Sequence, residues 1–249
     1  MERELALRVF SCIDNTTLSP TDTEASVDAF CRRTREMIVE GRTVAAVCVY
    51  PRFVCVAKRA LEGSGIRVAS VAGAFPHGQL PLELKVAEVA EAARQGADEV
   101  DIVINRGLLL DGKADEVRRE VEAMRAACMG RTLKVIVETC DLASPTLIAQ
   151  ATELAIGGGA DFVKTSTGKG TGGATIEAAE TMLGAIKAST QAGGRLVGFK
   201  AAGGIREPEQ ALEYARVAKE CLGDGYVDKD TFRIGASGLT DALYKALTR

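Results

Sequence analysis

Lys164 stands in an apolar run, Phe162 to Thr165, and a glycine-rich polar stretch continues to Gly170. A lysine is seldom buried without a partner or a purpose. Its charge is strongly disfavoured in apolar surroundings, and the usual outcome is a lowered pKa and a neutral amine. A neutral amine attacks carbonyls, which is how Schiff-base lysines work. Lys200 ends a second run, Leu196 to Lys200, which is also followed by glycines. On neighbouring strands, about 4.8 Å apart, the two lysines would point into one mouth. Each positive charge opposes protonation of the other, so one amine is left neutral while its neighbour stays a cation. Asp101, in the segment Val100 to Asn105, adds a carboxylate that can move protons. An amine, an ammonium and a carboxylate together suit imine chemistry.

Structural roles compete with this one. A lysine at a strand end often extends to solvent or pairs with an acid. An aspartate there is often a turn or cap residue. Two lysines in equivalent settings favour chemistry over both. Asp14, Cys48, Glu138 and Thr167 are assigned supporting places, with Asp14 and Glu138 as partners that hold the lysines. Lys134 is expected at the bottom of its strand, in water. The only histidine, His77, reads as a loop residue that packs, and a single histidine makes an all-histidine metal site untenable. No metal or other cofactor is expected.

The elements that must position these residues are legible as eight β-rich runs. They are Ser11–Asn15, Val44–Val49, Val68–Ala72, Val100–Ile104, Leu133–Glu138, Phe162–Thr165, Leu196–Lys200 and Arg233–Ala236. Several are continuous Val/Ile/Ala runs, the pattern of strands buried on both faces of a parallel sheet. Amphipathic helical segments lie between them. Ser144-Pro145 reads as an N-cap followed by proline in the first turn. Ala114 to Cys128 puts Val117, Val121 and Met124 on one face. Pro208 opens a segment with Leu212, Ala215 and Val217 or Ala218 inward. Gly63, Gly96, Gly130, Gly157 and Gly193 read as helix stops. Eight strand–helix alternations in one chain of 249 residues predict a single-domain (β/α)8 barrel, a TIM barrel, over residues 1–249. A short extra helix is expected over Arg3 to Phe10. The runner-up, a doubly wound open sheet, lacks a Gly-x-Gly-x-x-Gly after the first strand.

In such a barrel the site lies at the C-terminal ends of the strands, and phosphate is often held by the loops after strands 7 and 8. Those loops here are Ala201 to Arg206 and Gly235 to Leu239. Glycines let backbone N–H groups approach an oxyanion closely. Gly203, Gly204, Gly235 and Ser237 therefore form a candidate phosphate cradle, with Arg206 beside it and Gly168 and Lys169 on its rim.

Charge and composition exclude other classes. A net charge of −3 offers no basic footprint for nucleic acid. No run approaches the roughly 18 apolar residues of a membrane span. The first residues carry acids and bases without an apolar core, unlike a signal peptide. Seven cysteines, an odd number and widely spaced, read as reduced thiols in a cytoplasmic protein.

Taken in order, eight segments resemble the deoxyribose-phosphate aldolase family across nearly the whole chain. They are Ile13–Leu18, Val47–Phe53, Phe75–Gly78, Gly96–Asn105, Val135–Thr139, Phe162–Gly168, Gly198–Arg206 and Arg233–Ser237. The resemblance implies a metal-independent class I aldolase of the cytoplasm, acting on a phosphosugar and assembled as a dimer or tetramer. It implies the Schiff base on Lys164, the second lysine at Lys200 and the acid–base aspartate at Asp101. Two positions depart from the family pattern. Ala201 stands where many members have proline, and Gly238 where a second serine is common. Some members also end in a tyrosine tail that assists proton transfer. Here Arg249 follows soon after Tyr244, and ordered water is expected in that role. Rival readings are another phosphosugar aldolase or transaldolase, and a non-catalytic sugar-phosphate-binding barrel. An isomerase would need a strand-end glutamate, and Glu138 in that role leaves both lysines unexplained.

Overall fold

The apolar runs become parallel strands that close on themselves. In the computed structural model, which describes residues 2–142 and 144–248, the strands are β1 (Ile13–Thr16), β2 (Ala46–Val49), β3 (Arg67–Val71), β4 (Glu99–Val103), β5 (Thr132–Ile136), β6 (Phe162–Lys164), β7 (Gly198–Ala202) and β8 (Phe232–Ala236). They pair in sequence order, and β8 pairs back to β1, giving the expected closed eight-stranded barrel. The expected extra helix spans Arg3–Ser11 and buries Leu5, Leu7, Val9 and Phe10.

The surrounding helices follow their sequence punctuation. Ala114–Ala127 buries Val117, Val121 and Met124, the face its spacing predicts. Pro208–Leu222 buries Leu212, Ala215 and Ala218. Pro145–Gly157 starts on its proline, although the Ser144 side chain makes no cap bond. Gly157 is not the stop it was expected to be. It is the last helical residue, and the left-handed turn falls on Gly159, at φ 97°.

Strand ends differ from the expected runs by at most two residues. The fifth run was expected to reach Glu138, but β5 ends at Ile136, and Glu138 lies beyond it at φ 56°. The seventh was expected from Leu196, but β7 opens at Gly198, whose N–H donates to Asp161 O at 2.8 Å. That bond fixes the first rung of the ladder, and Leu196 stays outside it, exposed.

One short pattern occurs twice. Gly96-Ala97-Asp98 precedes β4, and Gly159-Ala160-Asp161 precedes β6. Asp98 donates its N–H to Val68 O and accepts from Val68 N–H on Oδ2, both at 2.8 Å. Asp161 makes the same pair of bonds to Leu133, again both at 2.8 Å. Each aspartate thus fastens the start of its strand to the strand before it. A basic side chain closes each knot: Lys58 meets Asp98 at 2.9 Å and Arg125 meets Asp161 at 2.6 Å.

Candidate active site

Side chains alternate along a strand, so alternate residues fill the barrel. From β4, β6 and β7 these include Asp101, Lys164 and Lys200. Lys164 and Lys200 are register partners. Both are buried, and both amines donate to Oδ2 of Asp101 at 2.8 Å. The structure therefore brings together the three residues that the sequence singled out.

Their proton affinities diverge. Burial is the largest influence on Lys164 and lowers its pKa; Lys200 acts in the same direction, and Asp101 opposes them without prevailing. Burial also disfavours the charged form of Lys200, but Asp101 and Asp14 outweigh it and raise the pKa. For Asp101, burial favours the neutral acid, yet Lys134, Lys164 and Lys200 together hold its carboxyl well below the usual range. The site offers an amine with weakened proton affinity beside a firmly charged ammonium and a firmly ionised carboxylate.

Among the supporting residues, Asp14 holds its expected place, accepting from Lys200 at 2.5 Å and from Arg233 at 2.5 Å. Cys48 is buried on β2, and burial, with Asp101 adding to it, pushes its thiol up to about 11. Glu138 does not hold a lysine, contrary to expectation. Its left-handed backbone turns the carboxylate to Thr167, from which it accepts the N–H at 3.1 Å and the hydroxyl at 2.5 Å. Thr167 Oγ in turn accepts from Lys169 N–H at 3.1 Å, so Glu138 anchors the loop after β6.

Lys134 overturns its expectation more sharply. It is fully buried inside the barrel, not solvated at its floor. Its amine lies 2.6 Å from Glu99, 2.7 Å from Asp101 and 3.3 Å from Asp14. Three carboxylates from two other strands supply the charge that makes burial tolerable. Glu99 and Arg233, also fully buried, were missed altogether. Strand alternation was the available signal, since Glu99 is in phase with Asp101 and Arg233 with Gly235. His77 lies exposed in its loop.

A cavity of about 230 Å³ opens above Lys164. Thr167, Gly168 and Lys169 line it from the loop after β6. Gly203, Gly204 and Arg206 line it after β7, and Gly235 and Ser237 line it at the end of β8. The candidate phosphate cradle and the amine thus share one space. Gly203 and Gly204 have φ 90° and 81°, a region L side chains rarely adopt. Gly235 is small for another reason: a Cβ there would sit 2.9 Å from Lys200 Cε. Lys169 reaches across the mouth and donates to Leu18 O at 2.6 Å. A larger cavity, about 580 Å³, lies at the opposite end of the barrel against Arg8 and Arg42, whose guanidinium groups are held by Asp224 and Glu4.

Residues 9–240 match the family described as DeoC/LacD family aldolase. The chain belongs to that family. Within it, the aldolase is 43% identical to the deoxyribose-phosphate aldolase of Bos taurus over 94% of this chain and 77% of the bovine one. It is 42% identical to the deoxyribose-phosphate aldolase of Homo sapiens, over 97% of this chain and 80% of the human one. Among solved structures, the tetrameric deoxyribose phosphate aldolase from Aeropyrum pernix superposes with a TM-score of 0.75 at 26% identity, covering 100% of this aldolase and 98% of that chain. An aldolase must stabilise the electron pair left when a carbon–carbon bond breaks. A lysine amine can do so once it has formed a protonated imine with a substrate carbonyl, and Lys164 places such an amine in the barrel mouth.

Proposed function

We propose that this aldolase cleaves 2-deoxy-D-ribose 5-phosphate, reversibly, to D-glyceraldehyde 3-phosphate and acetaldehyde through an imine on Lys164. The observation that carries the reading is one cavity holding both the Lys164 amine and the glycines of the β7 and β8 loops. With phosphate at Gly203, Gly204, Gly235 and Ser237, the aldehyde end of the sugar is directed down towards β6.

The Lys164 amine adds to C1, and loss of water from the carbinolamine gives the protonated imine. The products have two and three carbons, so the bond that breaks is C2–C3. Its electron pair flows into the imine and leaves an enamine on C1 and C2. The C3 hydroxyl proton departs through water to Asp101. A carboxylate held so firmly ionised is a poor resting place for a proton, so Asp101 acts as a relay, and Lys200 on the same oxygen can supply the next one. Protonation of the enamine at C2 and addition of water release acetaldehyde and return the amine.

The same reading takes residues 1–249 as one domain that needs no metal or other cofactor and does not bind nucleic acid. It places the protein in the cytoplasm, in the breakdown of deoxyribose phosphate. Support comes from lysine-based chemistry and from seven free cysteines. Among the described residues no helix is long and apolar enough to cross a membrane. A homo-oligomer belongs to the reading too, supported by the tetramer of the Aeropyrum pernix relative.

The test is to incubate the protein with deoxyribose 5-phosphate, assay acetaldehyde, and trap the imine with borohydride. Acetaldehyde and added mass on the Lys164 peptide are expected. Mass on Lys200 or Lys134 would overturn the assignment, and other products would indicate another phosphosugar aldolase.

A further inference from the structure

Six buried side chains below the cavity form a closed ring of alternating charge. Asp101 Oδ2 meets Lys200 at 2.8 Å, and Lys200 meets Asp14 Oδ2 at 2.5 Å. Asp14 Oδ1 meets Arg233 at 2.5 Å, and Arg233 meets Glu99 Oε1 at 2.7 Å. Glu99 Oε2 meets Lys134 at 2.6 Å, and Lys134 returns to Asp101 Oδ1 at 2.7 Å. None of the six is more than 1% exposed. Lys134, Lys200 and Arg233 carry three positive charges, and Asp14, Glu99 and Asp101 carry three negative ones, so the ring is formally neutral. Beneath it, Arg67 touches Glu99 but has a carboxylate of its own, Asp230 at 2.7 Å.

Lys164 hangs from this ring on Asp101 and is not part of it. A proton on Lys164 would add one positive charge, uncompensated within the ring, to a residue that is only 4% exposed. Such a charge is strongly disfavoured in a low-dielectric interior.

We propose that Lys134 and Glu99 are positioning residues for the reaction: by completing a neutral ring through Asp101 they hold Lys164 as the free amine, although neither bonds to it. The proposal rests on the reading of Lys164 as the imine-forming residue. The other titratable groups beside Lys164 are Cys48 on β2, Asp101 on β4 and Lys200 on β7; Asp14 of β1 and Arg233 of β8 lie deeper in the ring, and Lys169 and Arg206 share its cavity from the loops above. The buried residues of β3 at this level, Ala69 and Val71, carry no charge. Removing one ring charge at a distance therefore changes the balance without removing a partner of Lys164.

The experiment labels Lys164 with acetic anhydride across a pH series and reads the modified peptide by mass. Only the neutral amine reacts, so the midpoint reports its proton affinity whether or not Lys164 forms the imine; borohydride trapping tests that separately. Lys134→Met leaves the ring at −1 and should raise the midpoint, by on the order of one pH unit. Glu99→Gln leaves it at +1 and should lower the midpoint by a similar amount. The double variant should return near wild type. A merely structural role predicts otherwise, because a loosened barrel admits water and moves both single variants up towards an ordinary lysine. Unchanged midpoints, or shifts in one common direction, overturn the proposal. If Lys134→Met fails to fold, Glu99→Gln decides alone: a lower midpoint supports the ring, and an unchanged or higher one rejects it.

Discussion

Lys164 and Lys200 face each other as register partners on β6 and β7, and their amines converge on a single oxygen of Asp101. Two full ammonium groups would repel strongly at that spacing, whereas an amine beside an ammonium does not. This division of roles gives the first prediction. Lys200→Leu removes the neighbouring cation, so the proton on Lys164 becomes easier to hold and its pKa rises. The acid limb of the kcat/KM profile should move to higher pH, with each unit corresponding to about 1.4 kcal/mol. Activity lost at neutral pH should partly return in alkali. Burial still depresses Lys164 in the variant, so the limb should stop short of an ordinary lysine value. An acid limb in the wild-type position would confine Lys200 to proton transfer or substrate contact.

Asp101→Asn should act in the opposite sense on the same limb. The carboxylate favours the protonated form of Lys164, so its loss lowers that pKa further. The limb should shift to lower pH while kcat falls, by roughly 10²- to 10⁴-fold if the aspartate relays a proton. A pH–rate series on the folded variant measures both quantities at once.

The two glycines over the cavity should separate binding from chemistry. Gly204 has φ 81° and open space around it, so Gly204→Val distorts the backbone at the proposed anion site without meeting the lysines. We expect KM for deoxyribose 5-phosphate to rise about tenfold, equivalent to about 1.4 kcal/mol, with little change for unphosphorylated deoxyribose. Gly235→Ala presses on Lys200 Cε and should instead lower kcat for both sugars. Equal loss on both sugars from Gly204→Val would move the phosphate elsewhere.

Acid should unfold the protein through its buried carboxylates. Asp14, Glu99 and Asp101 all titrate below their ordinary values, Glu99 at about 2 against 4.5. The sign follows from linkage. The stability they confer is complete above their unfolded-state values near 4 and is lost as pH falls towards the folded ones. Urea midpoints should therefore be nearly flat from pH 7 to 5 and drop steeply below about 4. Glu99→Gln should flatten part of that drop, and an unchanged slope would mean Glu99 is not ionised when buried.

Chelation provides a further check. With a protonated imine as the electron sink, EDTA should leave the rate of acetaldehyde release unaltered. Loss of activity that zinc restores would contradict the lysine mechanism.

Several of the eight strands were legible as short Val/Ile/Ala-rich runs with clear punctuation, the composition expected of buried parallel strands. Lys164, Lys200 and Asp101 were legible because charged residues inside such runs are conspicuous. Lys134 was not, although it too lies inside one. Its local sequence, Thr132-Leu133-Lys134, reads the same at a wet barrel floor as in a dry interior. What decides is a cluster of carboxylates from β1 and β4, which no local pattern announces. Glu138 was misassigned for a different reason. Its left-handed backbone redirects the side chain to Thr167, and non-glycine residues adopt that conformation too seldom to be anticipated. The glycines after β7 and β8 were legible in the sequence, but the constraint that Lys200 places on Gly235 is a packing fact between two strands.

The twice-used Gly-Ala-Asp knot sets the level at which carboxylate and amine meet. Asp101 follows Asp98 by three residues, and Lys164 follows Asp161 by three. Both are suspended from the same kind of fixed point, like two plumb lines of equal length on strands separated only by β5. Helices and loops elsewhere can lengthen or shrink without altering that common depth. A single residue inserted between Asp161 and Lys164 cannot be absorbed so easily. Strand side chains alternate, so it would swing the amine out among the helices and leave Asp101 facing an empty place.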